Sequence, residues 1–379
     1  MARMLLSCAG IFMRKIPDPN KIDYIIWLQT AFLGDIVLLT GSIKLAYKVF
    51  PAAKHMLITN QVGKEALKGF PFLHQVSVLE KSSAQFFGSL NKIKAGLKKQ
   101  GISSKNSVLL QAHLSTRSTF VANYLNLPYV TFRESSFSLF ATKRVARIAC
   151  FHESIRSGLL LEALGIERQK ILKNKPFLPL SDEEYRNDFI PREFEGYTTI
   201  AIAPGSVWGT KKWPREHFIQ LAFLLLKNKH VLLLLIGSKQ ESALCNAIFE
   251  AITEKCKMGS TSVLNLAGKT SLQDLNYIFP RLSLLICNDS SPMHYGSAFN
   301  TPTLALFGAT VPQMGFGPLA DQSKSIGLEG LSCRPCSDHG PKTCPLGHFQ
   351  CMQNLKPQLV YQNCRQILEA RGKKELLIQ

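Results

Sequence analysis

The sequence predicts an α/β protein made of two successive Rossmann-like domains facing one another with a cleft between them. Short β-rich runs alternate with helix-length stretches in both halves, a pattern that yields parallel sheets covered on both faces. At 379 residues, the chain exceeds one ordinary core and suits two domains of about 150 to 200 residues each. A segment rich in Pro and charge, KNKPFLPLSDEEYRNDFIPREFEG at 173–196, interrupts the alternation once and marks a linker.

In the first half, DYIIWLQ (23–29) reads as a strand, and TAFLGD leads into the helical spacing of IVLLTGSIKLAYKVF. HMLIT, QVSVL and SVLLQA are further strands, each followed by a polar or helical stretch. After the linker, YTTIAIAPG is a strand entering a Gly turn, REHFIQLAFLLLKNK a helix and HVLLLLIGS a strand. SVLNLAG, LSLLICND and TPTLALFG complete the set. The expected division is 1–178, with 1–20 as an extension, then 179–355, then a terminal helix over 356–379 that packs back toward the first domain. The opening MARMLLSCAGIFMRK is expected to be a ragged extension or weak interfacial anchor, because Ser7, Cys8 and Gly10 break its apolar stretch and no cleavage motif follows.

Hydrophobic residues make up 46% and charged residues 19%, which excludes a disordered chain. The longest aliphatic run, VLLLLI at 231–236, is far too short to span a bilayer. The formal charge is +19, and residues 1–178 hold 25 Lys and Arg against 9 Asp and Glu, or +16. The first half therefore attracts polyanions: nucleic acid, anionic lipid or a phosphorylated substrate.

Open α/β sheets bind ligands beyond the carboxyl ends of their strands. Three such ends carry suitable chemistry: GSVWGTKKWP, GSKQE and NDSSPMH. The last reads as a helix start, with Asp289, Ser290 and Ser291 as capping residues and Pro292 in the first turn. A helix N-terminus suits a phosphate. Lysines 211 and 212 add cationic donors at the same edge, so a nucleotide-linked sugar fits without a P-loop or G-x-G-x-x-G. In the first half, Asp35 follows a Gly at a strand-to-helix turn, where it is either a carboxylate on the helix dipole or a general base.

Four blocks lie in order over most of the chain: LGDIVLLTGSIKLAYKVFP, IAPGSVWGTKKWPREHF, ICNDSSPMHYGSAFNTPTLALFGATVP and the tail CRPCSDHGPKTCPLGHFQCM. Together they resemble glycosyltransferase family 9, the ADP-heptose:lipopolysaccharide heptosyltransferases of GT-B architecture. The NDS-x-x-MH form is nearer the heptosyltransferase II branch, with Ser291 and Pro292 where the family usually places Gly. The resemblance implies Asp35 as catalytic base, Lys211 as a contact to the donor phosphates, and Ser290, Ser291 and His294 as the phosphate-binding turn positioned by Asp289. It places Glu241 near the nucleotide ribose and Arg117 at the acceptor. The implied partners are ADP-heptose, a phosphorylated lipid A-core acceptor and the anionic surface of the inner membrane, met from the cytoplasm by a peripheral enzyme that requires no cofactor.

Cys333, Cys336, Cys344 and Cys351 leave two readings open, a structural zinc or iron–sulfur site or a reduced or partly disulfide-linked packing loop. Their C-x7-C and C-x6-C gaps differ from paired C-x2-C knuckles. Nucleic-acid binding is disfavoured, since HLSTRSTF and KKQGISSKN hold no reader motif. A nucleotide-sugar epimerase would need a G-x-G-x-x-G after the opening strand, and none is there.

Overall fold

The computed structural model describes residues 14–181, 189–255 and 262–372. The first thirteen residues of the expected extension, part of the linker and the last residues of the expected terminal helix lie outside them. The chain divides into two compact units, Met1–Asn174 and Lys175–Gln379, just before the division expected at 178.

The first unit is a six-stranded sheet: β1 (Tyr24–Leu28), β2 (Lys54–Thr59), β3 (Gln75–Val78), β4 (Ser107–Gln111), β5 (Tyr129–Phe132) and β6 (Lys143–Val145). Its order is β3-β2-β1-β4-β5-β6, with every pairing parallel. Its helices are α1 (Leu33–Val49), α2 (Gln61–Ala66), α3 (Ser83–Lys99), α4 (Thr116–Leu125), α5 (Glu153–Gly158) and α6 (Arg168–Leu172). Helix α3 shows why the sequence packs this way. It buries Phe86, Leu90, Ile93 and Leu97, one stripe at helical spacing, against Leu109, Val121 and Leu125.

The second unit repeats the plan with β7 (Thr198–Ala203), β8 (Val231–Leu235), β9 (Val263–Asn265), β10 (Leu284–Asn288), β11 (Thr303–Phe307) and β12 (Lys324–Gly327). Their order is β12-β11-β10-β7-β8-β9, again parallel throughout. Its helices are α7 (Arg215–Leu226), α8 (Ser242–Lys255), α9 (Leu272–Ile278), α10 (Ser291–Ala298), α11 (Gln350–Gln353) and α12 (Pro357–Ala370). Strands β7 and β8 are buried at every position, which explains their unbroken apolar runs.

Both sheets have the doubly wound order in which the chain reverses direction beside the first strand. The switch points fall between β1 and β4 in the first unit and between β7 and β10 in the second. The expected terminal helix is α12, which ends at Ala370. Its Val360, Cys364, Ile367 and Leu368 join Leu221 and Leu225 of α7 in the second unit's own core. That unit needs the helix because the apolar stripe of α12 completes its core.

Candidate functional site

At the second unit's switch point, β7 and β10 end side by side and their loops are locked together by one side chain. Asn288, fully buried, donates from Nδ2 to Pro204 O at 2.8 Å and Gly205 O at 3.3 Å. Its Oδ1 accepts the backbone N–H of Trp213 at 3.1 Å. The Trp213 indole in turn donates to Leu355 O. With its hydrogen-bonding capacity directed inward, Asn288 shapes the GSVWGTKKW loop and is not a ligand contact.

That loop delivers Lys211 from a short 3-10 turn, Gly209–Lys211. Its Nζ lies 2.6 Å from Asp289 Oδ2, with side-chain exposures of 11% and 7%. Thr310 donates to the same carboxylate oxygen at 2.7 Å. A nearly buried ion pair of this kind fixes the ammonium in place and leaves two of its three N–H bonds for another acceptor. Lys212 next to it is exposed, so the structure separates two lysines that the sequence presents as equivalent. Thr210 anchors the turn from behind by donating to Pro341 O at 2.5 Å.

Helix α10 begins at this edge. Ser290 occupies the N-cap position, yet no side-chain hydrogen bond caps the helix. Its hydroxyl donates back to Asn288 O at 3.3 Å. The capping role expected of Asp289, Ser290 and Ser291 therefore does not arise, since Asp289 turns to Lys211 and Ser290 to the strand end. What results is a helix start without a side-chain cap, its Met293 N–H turned back to Ser290 O at 3.1 Å and its positive dipole end beside a lysine. His294 is buried in the next turn with its ring 6.1 Å from Phe316. Gly296 permits close docking of the helix, because a Cβ there would meet Thr303 Oγ1 at 2.5 Å.

Glu241 follows β8 on the same edge. Its Oε2 accepts from the N and Oγ of Ser238 at 2.7 and 2.8 Å, closing a capping box. It lies tight against Gly205, where a Cβ would fall 1.7 Å from Glu241 Oε1. Lys211, Asp289, Ser290, Ser291, His294 and Glu241 thus belong to the adjoining ends of β8, β7 and β10.

Asp35 lies in the first turn of α1, directly after β1 at the first unit's switch point. It is half-buried. Desolvation, and next the charge of Glu153, push its carboxyl up from 3.8 to about 7, against the pull of the Phe32 backbone N–H and Arg147. Glu153 is itself buried and ion-paired, at 2.5 Å from Arg147 and 3.3 Å from Arg156. The sequence gives no sign of this triad, because RIACFHESIR (147–156) carries no motif and only folding brings α5 against α1. Arg117 is exposed on α4, its guanidinium 5.7 Å over the Phe86 ring. Nearby, His113 Nδ1 lies 3.1 Å from Thr30 Oγ1. Burial, then Lys81 and Arg117, lower its pKa to about 4, which keeps the ring neutral at pH 7.

The cysteine-rich segment braces the second edge. Cys336 N donates to Ala309 O at 2.8 Å, and Arg334 donates to Phe307 O and Thr310 O. The four thiols are free. Backbone N–H groups of Phe349, Leu346, His348 and Gly347 lower the Cys344 pKa, while burial raises those of Cys336 and Cys351. Among the described residues no group of three or more His, Cys, Asp or Glu is arranged to hold a metal ion.

Known proteins match this picture. The lipooligosaccharide heptosyltransferase 2 of Campylobacter jejuni serotype O:2 is 32% identical over 187 residues, 49% of this chain and 55% of that protein. The chain thus matches about half the length of such curated relatives. Escherichia coli ADP-heptose lipopolysaccharide heptosyltransferase II superposes with a TM-score of 0.72 at 20% identity, covering 92% of this chain and 99% of the other. A family 9 glycosyltransferase from Veillonella parvula DSM 2008 gives 0.76 at 21% identity, covering 92% and 98%. At those identities the likeness is one of fold, and it is the GT-B fold expected from the sequence. The family model for glycosyltransferase family 9 (heptosyltransferase) matches residues 107–348, and by that match the chain belongs to glycosyltransferase family 9.

Proposed function

We propose that the chain is an inverting glycosyltransferase that moves a heptose from ADP-heptose to the inner core of a lipopolysaccharide precursor. The observation that carries this is the Lys211–Asp289 pair beside the uncapped start of α10. Together they set an ammonium and a helix dipole end side by side at a topological switch point, where a phosphate group is favoured. The name of the Campylobacter relative supports heptose as the sugar.

In this reading the acceptor hydroxyl gives its proton to the Asp35 carboxylate as the anomeric carbon–oxygen bond to the diphosphate breaks. A base with its pKa raised to about 7 is half ionised at neutral pH and basic enough to accept that proton. Charge growing on the leaving ADP is met by the Lys211 ammonium and the positive end of the α10 dipole, fixed before the reaction starts. Ser290, Ser291 and His294 line the phosphate turn, Glu241 stands at the ribose end and Arg117 meets acidic groups of the acceptor. The base and leaving-group contacts named in this reading are side chains and a helix end, so it expects transfer to proceed in EDTA. The segment that carries the four cysteines braces the Thr210–Lys211 turn through Pro341 O, with the thiols reduced or partly disulfide-linked, and metal analysis of the purified protein tests that state.

The +16 of residues 1–178 suits a phosphorylated lipid A-core acceptor and an anionic membrane surface. No helix among the described residues is long and apolar enough to cross a membrane; the acceptor of this reading places the enzyme at the cytoplasmic face of the inner membrane as a peripheral protein. The decisive experiment incubates the protein with ADP-heptose and defined truncated core acceptors and weighs the product. A mass gain of one heptose on one acceptor supports the reading, and none on any acceptor overturns it.

A further inference from the structure

One face of the first unit exposes more apolar surface than its fold requires. Parallel strands β5 and β6 are joined by residues 133–142, a connection usually made by a full helix. Here it contains only a 3-10 turn, Ser138–Phe140. Phe137, Leu139 and Phe140 in that crossover are 63%, 64% and 45% exposed. The segment is firmly held, with Ser138 Oγ donating to Arg133 O, Thr131 Oγ1 to Ser135 Oγ and Ser136 N to Leu114 O. Phe137 even adopts a left-handed backbone, with φ of 54°, which a bulky residue takes only where surrounding contacts impose it. Local structure therefore turns these side chains outward.

Thr119 Oγ1 donates to Ser136 O at 2.6 Å, tying the crossover to α4. On α4 the exposed Phe120 meets the exposed Phe87 of α3 edge-on at 6.0 Å and stacks on Tyr124. Cations frame these rings. Lys94 Nζ sits 4.3 Å over Tyr124, and α3 carries Lys92, Lys94, Lys98 and Lys99 with no acidic residue. Arg133, Lys143 and Arg144 flank the crossover, all exposed, with Glu134 the one acid among residues 133–144.

We propose that this face docks on an anionic lipid bilayer, with Phe137, Leu139 and Phe140 entering the headgroup–acyl boundary and the surrounding Lys and Arg contacting lipid phosphates. The chemistry matches the interface, where aromatic rings settle at headgroup level and basic residues gain from the negative surface potential. The proposal rests on the reading of a membrane-borne acceptor, which it sharpens by naming the surface that meets the membrane. It also assigns part of the first unit's positive charge to lipid.

The test uses the full chain and vesicles containing no glycolipid: phosphatidylglycerol with phosphatidylethanolamine, against pure phosphatidylcholine. Wild-type protein is expected to sediment with the anionic vesicles and not with the neutral ones. The triple variant Phe137→Ser, Leu139→Ser, Phe140→Ser is expected to lose tenfold or more in partitioning at 150 mM salt. Leu139→Asp alone, a change on a side chain outside the core, lowers it in the same direction and covers the case in which the triple variant misfolds. Equal binding to both vesicle types, or variants within twofold of wild type, overturns the proposal. So does wild-type self-association that the variants abolish without any vesicle binding, which assigns the face to a second copy. Transfer to a deacylated, water-soluble core oligosaccharide separates the two ideas. Its absence alongside normal vesicle binding overturns the heptosyltransferase reading alone, and its presence without vesicle binding overturns the docking alone.

Discussion

Lys211 Nζ and Asp289 Oδ2 lie 2.6 Å apart and join the loop after β7 to the loop after β10, across the point where the second sheet reverses its winding. The pair is nearly buried, so each partner depends on the other for solvation. Asp289 is the reason Lys211 is held still, and Lys211, the Thr310 hydroxyl and the positive end of α10 together compensate the buried carboxylate.

Removing one partner should therefore do two separable things. Lys211→Met leaves Asp289 buried with Thr310 as its hydrogen-bond donor, at a cost of about 3 kcal/mol, and lowers the melting temperature by several degrees. It also removes the cation proposed to meet the diphosphate, so ADP affinity falls. Adding Asp289→Asn should restore most of the stability and none of the affinity. Calorimetric titration with ADP beside thermal melts reads both, and recovery of affinity in the double variant would show that Lys211 has no donor contact.

Asp35→Asn should lower turnover by about two or more powers of ten while sparing donor binding. Stability should move the other way. The folded-state pKa is raised from 3.8 to about 7, so between those values the folded protein holds a proton that the unfolded chain has released, and stability falls as pH rises. Asparagine abolishes that loss. The variant should match wild type in melting temperature near pH 4 and exceed it at pH 8, and an equal difference at both would refute the burial argument.

Glu153 is the second cause of the Asp35 shift, after desolvation. Glu153→Gln removes the like charge and releases Arg147 and Arg156 from it, and both changes favour ionised Asp35. The acidic limb of the pH–rate profile should move to lower pH, with little loss at the optimum. An unmoved limb would show that another group titrates in the rate.

What the sequence made legible follows burial and length. Fully buried runs such as Thr198–Ala203 and Val231–Leu235 announce themselves because both faces are covered. Strands β5, β6 and β12 went unread: β6 (KRV) and β12 (KSIG) are edge strands that carry Lys and no apolar run, and β5 (YVTF) is a single four-residue run. The site divided along the same line. Lys211, Asp289 and Asp35 lie at strand ends, where chain direction places them. The Glu153 triad, Thr310 and the inward-facing Asn288 owe their roles to contacts between distant segments, which no local pattern encodes.

Glu241 offers a test of how tightly the donor edge is built. A Cβ on Gly205 would fall 1.7 Å from Glu241 Oε1 and 2.2 Å from its Cδ, so Gly205→Ala must push this side chain aside. That breaks its bonds to Ser238 N and Oγ and costs about 1 kcal/mol of helix capping. Glu241→Ala loses the same bonds without any clash. If displacement of Glu241 is the whole effect of Gly205→Ala, the double variant should be no less stable than Glu241→Ala alone, and both should raise the KM for the nucleotide-sugar alike. Additive losses in the double-mutant cycle would mean that Gly205 is needed for its own backbone approach to the ligand.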